Sequence, residues 1–305
     1  MVADMRDILL TALAPITWGT TYFVTTQLLP PNRPLFVSVM RALPIGLMIL
    51  AIFPQRPNGI WYWRASVLGA LNIGLFFALL FTAAYRLPGG VIATTNAIQP
   101  FIVAILAWAF LSEQLTMRLI AAACAGVIGV GLIVLSPAER LDFIGVIAAL
   151  AATIMWAGGT VLTKRWGQPA PLLVFTGWQL VAGGLVLLPI ALVTEGMPPT
   201  LSIKNVVGFS YLAIIGTGLA YALWFRGIER LRASTVTFLI LLSPVSAITV
   251  DFLVLHRTLS VIQIGGVLLV LISIFVAQRT NGRGRRDSVC ESQTNLKEKS
   301  KSCRT

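Results

Sequence analysis

Ten stretches of mostly apolar residues, each about 20 residues long, follow one another along most of this 305-residue chain. An α-helix rises 1.5 Å per residue, so about 20 apolar residues cross the ~30 Å hydrocarbon core of a bilayer. The stretches lie near residues 8–28, 33–53, 65–84, 91–111, 118–136, 143–163, 171–193, 206–225, 234–255 and 260–278. The pattern predicts an all-α membrane protein with ten transmembrane helices.

The overall composition supports a membrane location. Hydrophobic residues make up 57% of the chain and charged residues only 11%, whereas about a quarter of the residues in soluble domains are charged. The net charge of +12 could suggest nucleic acid as a partner. However, the positive residues lie between the apolar stretches and after the last one, which is a signal of membrane topology. We therefore expect a lipid bilayer and no nucleic acid as the partner.

The distribution of Lys and Arg predicts the orientation, because cytosolic loops are enriched in positive residues. If the N-terminus is cytosolic, 17 of the 23 positive residues lie on the inner side and five on the outer side. Both termini are therefore predicted to be cytosolic. Residues 280–305 are basic and carry few large apolar side chains, so we expect a disordered cytosolic tail that is either solvated or in contact with anionic lipid.

A repeat divides the chain. The stretch GLFFALLFTAAYRL at 74–87 returns as GLAYALWFRGIERL at 218–231, with seven of 14 positions identical at an offset of 144. Likewise, ITWGTTYFVT at 16–25 matches IMWAGGTVLT at 154–163 at an offset of 138. We predict two five-helix repeats, 1–137 and 138–279, followed by the tail.

An odd number of helices in each repeat makes the second repeat enter the membrane in the opposite direction. Inverted repeats are the architecture of alternating-access transporters, whose substrate sites lie near the bilayer midplane where the repeats meet. The sequence therefore predicts a transporter of small molecules, with protons as one possible coupling ion. The oligomeric state does not follow from the sequence.

Several of these stretches also carry a family resemblance. The segments LLTALAPITWGTTYFVTT, LGALNIGLFFALLFTAAYRLPGG, AIQP, LTKRWG, FTGWQLVAGG, AYALWFRGIERL and LLSP resemble the drug/metabolite transporter superfamily, EamA-type family, PecM-like exporter branch. The resemblance implies a ten-helix secondary transporter of the bacterial inner membrane. Such proteins export small metabolites such as amino acids, their derivatives or related aromatic and pigment compounds. The chain departs from the family pattern at Asp251 and at His256-Arg257.

Polar side chains inside the predicted spans are the candidates for substrate binding, because they are costly in hydrocarbon. Arg41 lies about seven residues into the second span, ~10 Å below its outer edge. It is either a cationic anchor for a carboxylate or a structural arginine bonded to helix-end carbonyls. Asn96 and Gln99 share a helix face just before Pro100. They form either a polar pocket wall or a bridge between helices.

Aromatic residues at mid-depth provide further candidates. Trp18 shares a helix face with Tyr22 and matches Trp156 in the repeat. Tryptophan usually lies at the membrane interface, so this mid-bilayer pair indicates either a site for flat or apolar substrates or simple packing between helices. Four more mid-depth side chains are expected to line the same cavity: Asn72, Trp178, Gln179 and Tyr221.

Two acidic residues have other predicted roles. Asp251 is the only acidic residue inside a predicted span, which makes it the candidate for proton coupling. Its position near the outer end of that span also allows it to pair with His256 or Arg257. Glu113 follows the inner end of the fourth span, where we expect a gate or a helix-end contact.

Other classes of membrane protein need motifs that this sequence lacks. It contains no GxxxxGK[ST] loop for nucleotide phosphates. One histidine and one aspartate within a span cannot supply a usual catalytic metal site. We therefore expect neither an enzyme nor a bound cofactor or metal. An uncoupled facilitator or channel-like pore, and a membrane regulator built on a transporter scaffold, remain as alternatives.

Overall fold

The structure, a computed structural model, describes residues 2–30, 33–84, 86–87, 95–134, 142–196, 200–255 and 260–278. The predicted basic tail at 280–305 lies outside these residues. Within them the regular secondary structure is helical and contains no strand. The α-helices are α1 (Val2–Leu28), α2 (Pro34–Ile52), α3 (Trp61–Gly69), α4 (Leu75–Ala84), α5 (Gln99–Leu111), α6 (Met117–Val134), α7 (Phe143–Trp166), α8 (Leu172–Thr194), α9 (Ile203–Ala213), α10 (Ala220–Arg230), α11 (Ala233–Phe238), α12 (Leu242–Leu255) and α13 (Val261–Gln278).

Eight helical stretches in the described part of the chain are long and apolar enough to cross a membrane. Two shorter apolar helices, Gln99–Leu111 and Met117–Ile133, accompany them. This confirms the prediction of an all-helical membrane protein.

Two of the long stretches contain a turn of π-helix. The first, Ala70–Gly74, joins α3 to α4, and the second, Ile214–Leu219, joins α9 to α10. Their first residues are 144 positions apart, which is the offset of the matching sequences around them. A π-helical turn bonds residue i to residue i+5, and such bulges are frequent at functional sites.

Small residues bring α3 and α8 into backbone contact. A Cβ added to Gly183 would lie 2.7 Å from the backbone oxygen of Gly69 and 2.6 Å from the Cβ of Ile73. In the same contact, a Cβ added to Gly69 would lie 2.7 Å from the backbone oxygen of Gln179. Small residues are common where membrane helices approach closely. This contact fixes the first π-helical segment against α8.

Candidate functional site

A cavity of about 150 Å³ lies between helices from both halves of the chain. Its lining includes five of the side chains predicted from the sequence: Trp18, Arg41, Asn96, Trp156 and Tyr221. The other lining residues are mostly apolar and are Thr21, Phe76, Phe77, Leu80, Ala97, Val130, Ile240, Leu241, Ser243 and Pro244. Among the described residues of this lining, Arg41 is the one that carries a charge.

Arg41 is only 5% exposed, and hydrogen bonds fix the position of its side chain. Its Nε donates to Thr217 Oγ1 at 2.9 Å, and its Nη2 donates to the backbone oxygen of Gly216 at 3.1 Å. The guanidinium carbon lies 4.9 Å from the centre of the Phe77 ring, a distance typical of a cation–π contact. None of the ion pairs between described residues involves Arg41. The positive charge is thus oriented by neutral groups and faces a cavity.

Aromatic rings form one side of the cavity. The Trp18 ring lies 5.4 Å from that of Trp156 and 5.2 Å from that of Tyr221, measured between ring centres. Phe76 stacks on Trp156 at 4.8 Å with an angle of 28° between the rings. The indole N–H of Trp156 has no hydrogen-bond partner among the described residues. This wall offers flat apolar faces and one unused donor.

The π-helical segments provide backbone acceptors beside these rings. The Gly216 oxygen accepts from Trp18 Nε1 at 3.0 Å and from Arg41 at 3.1 Å. The backbone oxygen of Asn72 accepts from the Tyr221 hydroxyl at 3.4 Å. Gly216 and Asn72 are 144 positions apart, so the two acceptors occupy matching places in the repeated sequence. Each π-helical segment therefore orients a side chain of the cavity.

A second polar cluster lies behind the cavity lining, between the first π-helical segment, α7 and α8. Asn72 Nδ2 donates to Gln179 Oε1 at 2.8 Å and to Thr163 Oγ1 at 3.2 Å. Thr163 Oγ1 donates in turn to the Gly159 oxygen at 2.7 Å. Asn72 and Gln179 were expected to line the cavity, but here they bond each other and do not line it.

The sequence profile of the EamA-like transporter family matches residues 5–135 and again residues 143–278. The chain belongs to the EamA-like transporter family. It is therefore a transporter of the drug/metabolite transporter superfamily and a multi-pass protein of the bacterial inner membrane. The prediction that it is not an enzyme is confirmed by this membership.

Individual relatives of this EamA-like transporter extend over almost its whole length. Protein PecM of Dickeya dadantii (strain 3937) is 45% identical over 278 residues, which are 90% of this chain and 93% of PecM. A probable amino-acid metabolite efflux pump of Salmonella typhimurium (strain LT2) is 23% identical over 282 residues, 89% of this chain and 94% of the pump. A solved crystal structure superposes with a TM-score of 0.78 at 17% identity, covering 90% of this chain and 98% of that one. At this identity the superposition shows the fold alone.

Four other predicted site residues of the EamA-like transporter lie elsewhere or cannot be placed. Gln99 is completely buried and neither end of its amide has a partner among the described residues, but it does not line the cavity. Trp178 also lies outside the cavity. Its Nε1 donates at 2.8 Å to the backbone oxygen of Gln55, a residue that follows the end of α2. The side chains of Tyr22 and Asp251 lie outside the described part of the chain.

Glu113 caps a helix at one end of the transporter. Its carboxylate accepts from the backbone N–H groups of Ala233 and Ser234 at 2.9 and 3.3 Å and from the Ser234 hydroxyl at 2.5 Å. It also lies 3.6 Å from Nε of Arg232. Since the first N–H groups of a helix have no partner within it, this carboxylate fixes the start of α11.

A second carboxylate links α1 to α10. Asp7 pairs with Arg226 at 2.5 Å and lies 4.0 Å from Arg230. The side chains of Asp7 and Arg226 are 13% and 18% exposed, so the pair is mostly shielded from solvent. Sequence analysis did not single out this pair.

Sequence analysis also missed several cavity residues. Phe77 lies 144 positions before Tyr221, so the repeat could have pointed to it once Tyr221 was chosen. Phe76, Thr21 and Ser243 carry no comparable signal, because apolar and small hydroxyl residues are common throughout membrane helices. Their place in the cavity follows only from the helix packing.

Proposed function

We propose that this EamA-like transporter exports small metabolites, namely amino acids, their derivatives or related aromatic compounds, from a substrate site in the Arg41 cavity. The observation that carries the proposal is a buried cation that lines a cavity and has no acidic partner among the described residues. An unpaired buried charge is costly, so an anionic group on a substrate would complete the site. The efflux pump of Salmonella typhimurium is named for amino-acid metabolites, which agrees with this substrate class.

Alternating access between two inverted five-helix repeats is the proposed mechanism. The two π-helical segments start 144 residues apart, and their oxygens at Asn72 and Gly216 both accept side-chain hydrogen bonds. Trp18 and Trp156, 138 residues apart, meet in one cavity. The eight long and two shorter apolar helices found among the described residues agree in number with two five-helix repeats. These similarities support a cavity between equivalent halves.

The proposed orientation has both termini in the cytosol. It places Glu113 and Arg232 on the inner side and Arg86 and Asp142 on the outer side. Each of these pairs is in contact, at 3.6 Å and 3.5 Å respectively. These contacts agree with the assignment of the two loops of each pair to one side, and the distribution of Lys and Arg decides which side is cytosolic. Labelling of single cysteines in intact cells with an impermeant maleimide should modify a residue beside Arg86 and spare one beside Glu113.

A counterflow assay tests the proposed function. Proteoliposomes are loaded with an unlabelled mixture of amino acids and aromatic acids and then receive trace amounts of the labelled mixture. A carrier should transiently accumulate at least one labelled compound, and Arg41→Ala should abolish the accumulation. Arg64→Ala is the matched control, because Arg64 lies 5.3 Å from the Trp61 ring but outside the cavity.

Two results would contradict the proposal. Flux that rises linearly with concentration, without counterflow, would indicate a pore instead of a carrier. Full counterflow in a folded Arg41→Ala protein would show that the substrate does not depend on this cavity.

A further inference from the structure

The unused hydrogen-bonding capacity of Arg41 and Trp156 consists of donors. A guanidinium has five N–H groups, and the bonds to Thr217 and Gly216 leave three of them without a partner among the described residues. The Trp156 indole N–H, in a side chain that is 4% exposed, is also unpaired there. Neither side chain can accept a hydrogen bond. Together they favour a negatively charged ligand group.

Acidic side chains are absent from the described lining of this cavity. Those that the structure describes lie near helix ends and are Asp7, Glu113, Asp142, Glu195 and Glu229. The charge of Arg41 is therefore not balanced by these residues. A ligand ammonium group would meet the positive Arg41 and no carboxylate among them. This disfavours cations and zwitterions relative to anions.

The size and walls of the cavity favour a single aromatic ring. The Trp156 and Phe76 rings stack on each other at 4.8 Å, and Trp18 meets Trp156 at an angle of 64°, so three aromatic side chains line the cavity together. The volume of about 150 Å³ is similar to that of an engineered protein cavity of about 150 Å³ that binds benzene. Aromatic rings prefer such offset and edge-to-face neighbours. One ring with a small anionic group fits these dimensions.

We propose that the substrate is a small aromatic compound with one negative charge and no positive group, and that the membrane potential drives its export. This inference rests on the function proposed above and narrows its substrates to aromatic compounds and amino-acid derivatives that carry no ammonium group. The bound anion neutralises Arg41, and each export cycle carries one negative charge outward. Because the cell interior is negative, a potential of about 100 mV favours the exported anion by about 50-fold at equilibrium. Such export needs no proton carrier.

Binding to the purified protein, followed by tryptophan fluorescence, tests the substrate class. Benzenesulfonate is the probe, because it stays ionised and does not leak through lipid as a neutral acid. Benzenesulfonamide removes its charge, methanesulfonate removes its ring, and phenylalanine adds an ammonium group. Benzenesulfonate should bind at least about 10-fold more tightly than each of these, as expected for charge-assisted hydrogen bonds. Equal binding of phenylalanine or benzenesulfonamide would overturn the inference, and this comparison needs no variant.

Two tryptophan variants test the role of the unused donor. Trp156→Phe removes the indole N–H and keeps an aromatic ring, so it should weaken benzenesulfonate binding. Trp178→Phe is the control, because Trp178 lies outside the cavity lining and its N–H donates to the backbone oxygen of Gln55. Arg41→Gln should remove the preference for benzenesulfonate over benzenesulfonamide, and Arg41→Lys should keep part of it. Equal effects of the two tryptophan variants would argue against a ligand at Trp156.

Proteoliposomes with a potassium diffusion potential test the driving force. With valinomycin, a positive interior should accelerate benzenesulfonate uptake and a negative interior should suppress it. A pH gradient at zero potential should have little effect, and Asp251→Asn should leave the flux unchanged.

The outcomes separate the two proposals. Saturable counterflow that responds to the pH gradient and requires Asp251, but ignores the potential, would overturn potential-driven export and leave the transporter proposal intact. If protein that binds benzenesulfonate shows no counterflow with any of the probes, the transporter proposal itself is overturned.

Discussion

Replacement of Gly159 by alanine should destabilise the transporter through one contact. A Cβ added at Gly159 would overlap Asn72 Oδ1 and lie 2.7 Å from Asn72 Cγ. The amide cannot simply turn away, because its Nδ2 is bonded to Gln179 at 2.8 Å and to Thr163 at 3.2 Å. Either α7 must move away from the first π-helical segment, or both of these hydrogen bonds must break.

The expected cost follows from these two alternatives. Overpacking a well-filled interior costs about 1–3 kcal/mol. Hydrogen bonds between membrane helices contribute about 0.6 kcal/mol each on average. Whichever alternative occurs, a loss of about 1–3 kcal/mol in unfolding free energy is expected. For domains of roughly 150–250 residues, 1 kcal/mol corresponds to about 2–4 °C in Tm, so the midpoint should fall by roughly 2–12 °C.

Thermal unfolding of the purified protein in detergent measures this change. Gly158→Ala is the matched control, because a Cβ at the neighbouring Gly158 would meet nothing within 4 Å. That variant should leave Tm unchanged or raise it, since alanine is the better helix former. In the Gly159→Ala background, Asn72→Ala should recover part of the loss because it removes the overlapping amide. Equal Tm values for Gly159→Ala and Gly158→Ala would refute the reasoning.

Three further predictions concern stability and probe binding. Glu113→Ala removes the acceptor for the start of α11 and should cost about 2–3 kcal/mol of unfolding free energy, whereas Glu229→Ala, an exposed side chain in α10, should change it little. Asp7→Asn should cost about 2–3 kcal/mol because it leaves the mostly buried Arg226 unpaired, and a double-mutant cycle with Arg226→Gln should show coupling. Trp178→Phe should cost about 1 kcal/mol without changing benzenesulfonate affinity, because this residue lies outside the cavity.

Helix positions were largely predictable from the sequence, but helix ends were not. The apolar run at 206–225 predicted a span, and a helix interrupted by a π-helical turn is found there. However, it continues to Arg230. A span predicted from hydropathy ends at the first charged residue, whereas a helix ends where its backbone hydrogen bonds end. Here Arg226 is tolerated within the helix because Asp7 pairs with it at 2.5 Å.

The sequence predicted how deep in the membrane the candidate side chains lie better than it predicted which of them face the cavity. The rise per residue places Trp178 and Gln179 at nearly the same depth, and yet neither of them lines the cavity. Their direction depends on the rotation of α8 about its axis, which the evenly apolar sequence does not fix. The π-helical turns add a second reason, because one extra residue rotates the following side chains by about 100°. Phe76 and Phe77 follow such a turn directly and were missed.

The proposed repeat is symmetric where the halves meet and asymmetric where the cavity carries charge. Trp18 and Trp156 keep the same residue type at an offset of 138 and contact each other. Arg41, by contrast, has Trp178 as its counterpart at an offset of 137, and that indole points to a carbonyl outside the cavity. A cation at only one of the two equivalent positions makes the cavity positive, and it leaves the backbone fold common to the two halves unchanged. Under the proposed mechanism, selection for substrate charge acts on Arg41 alone, while the exchange between inward-open and outward-open states depends on the positions that the repeat preserves.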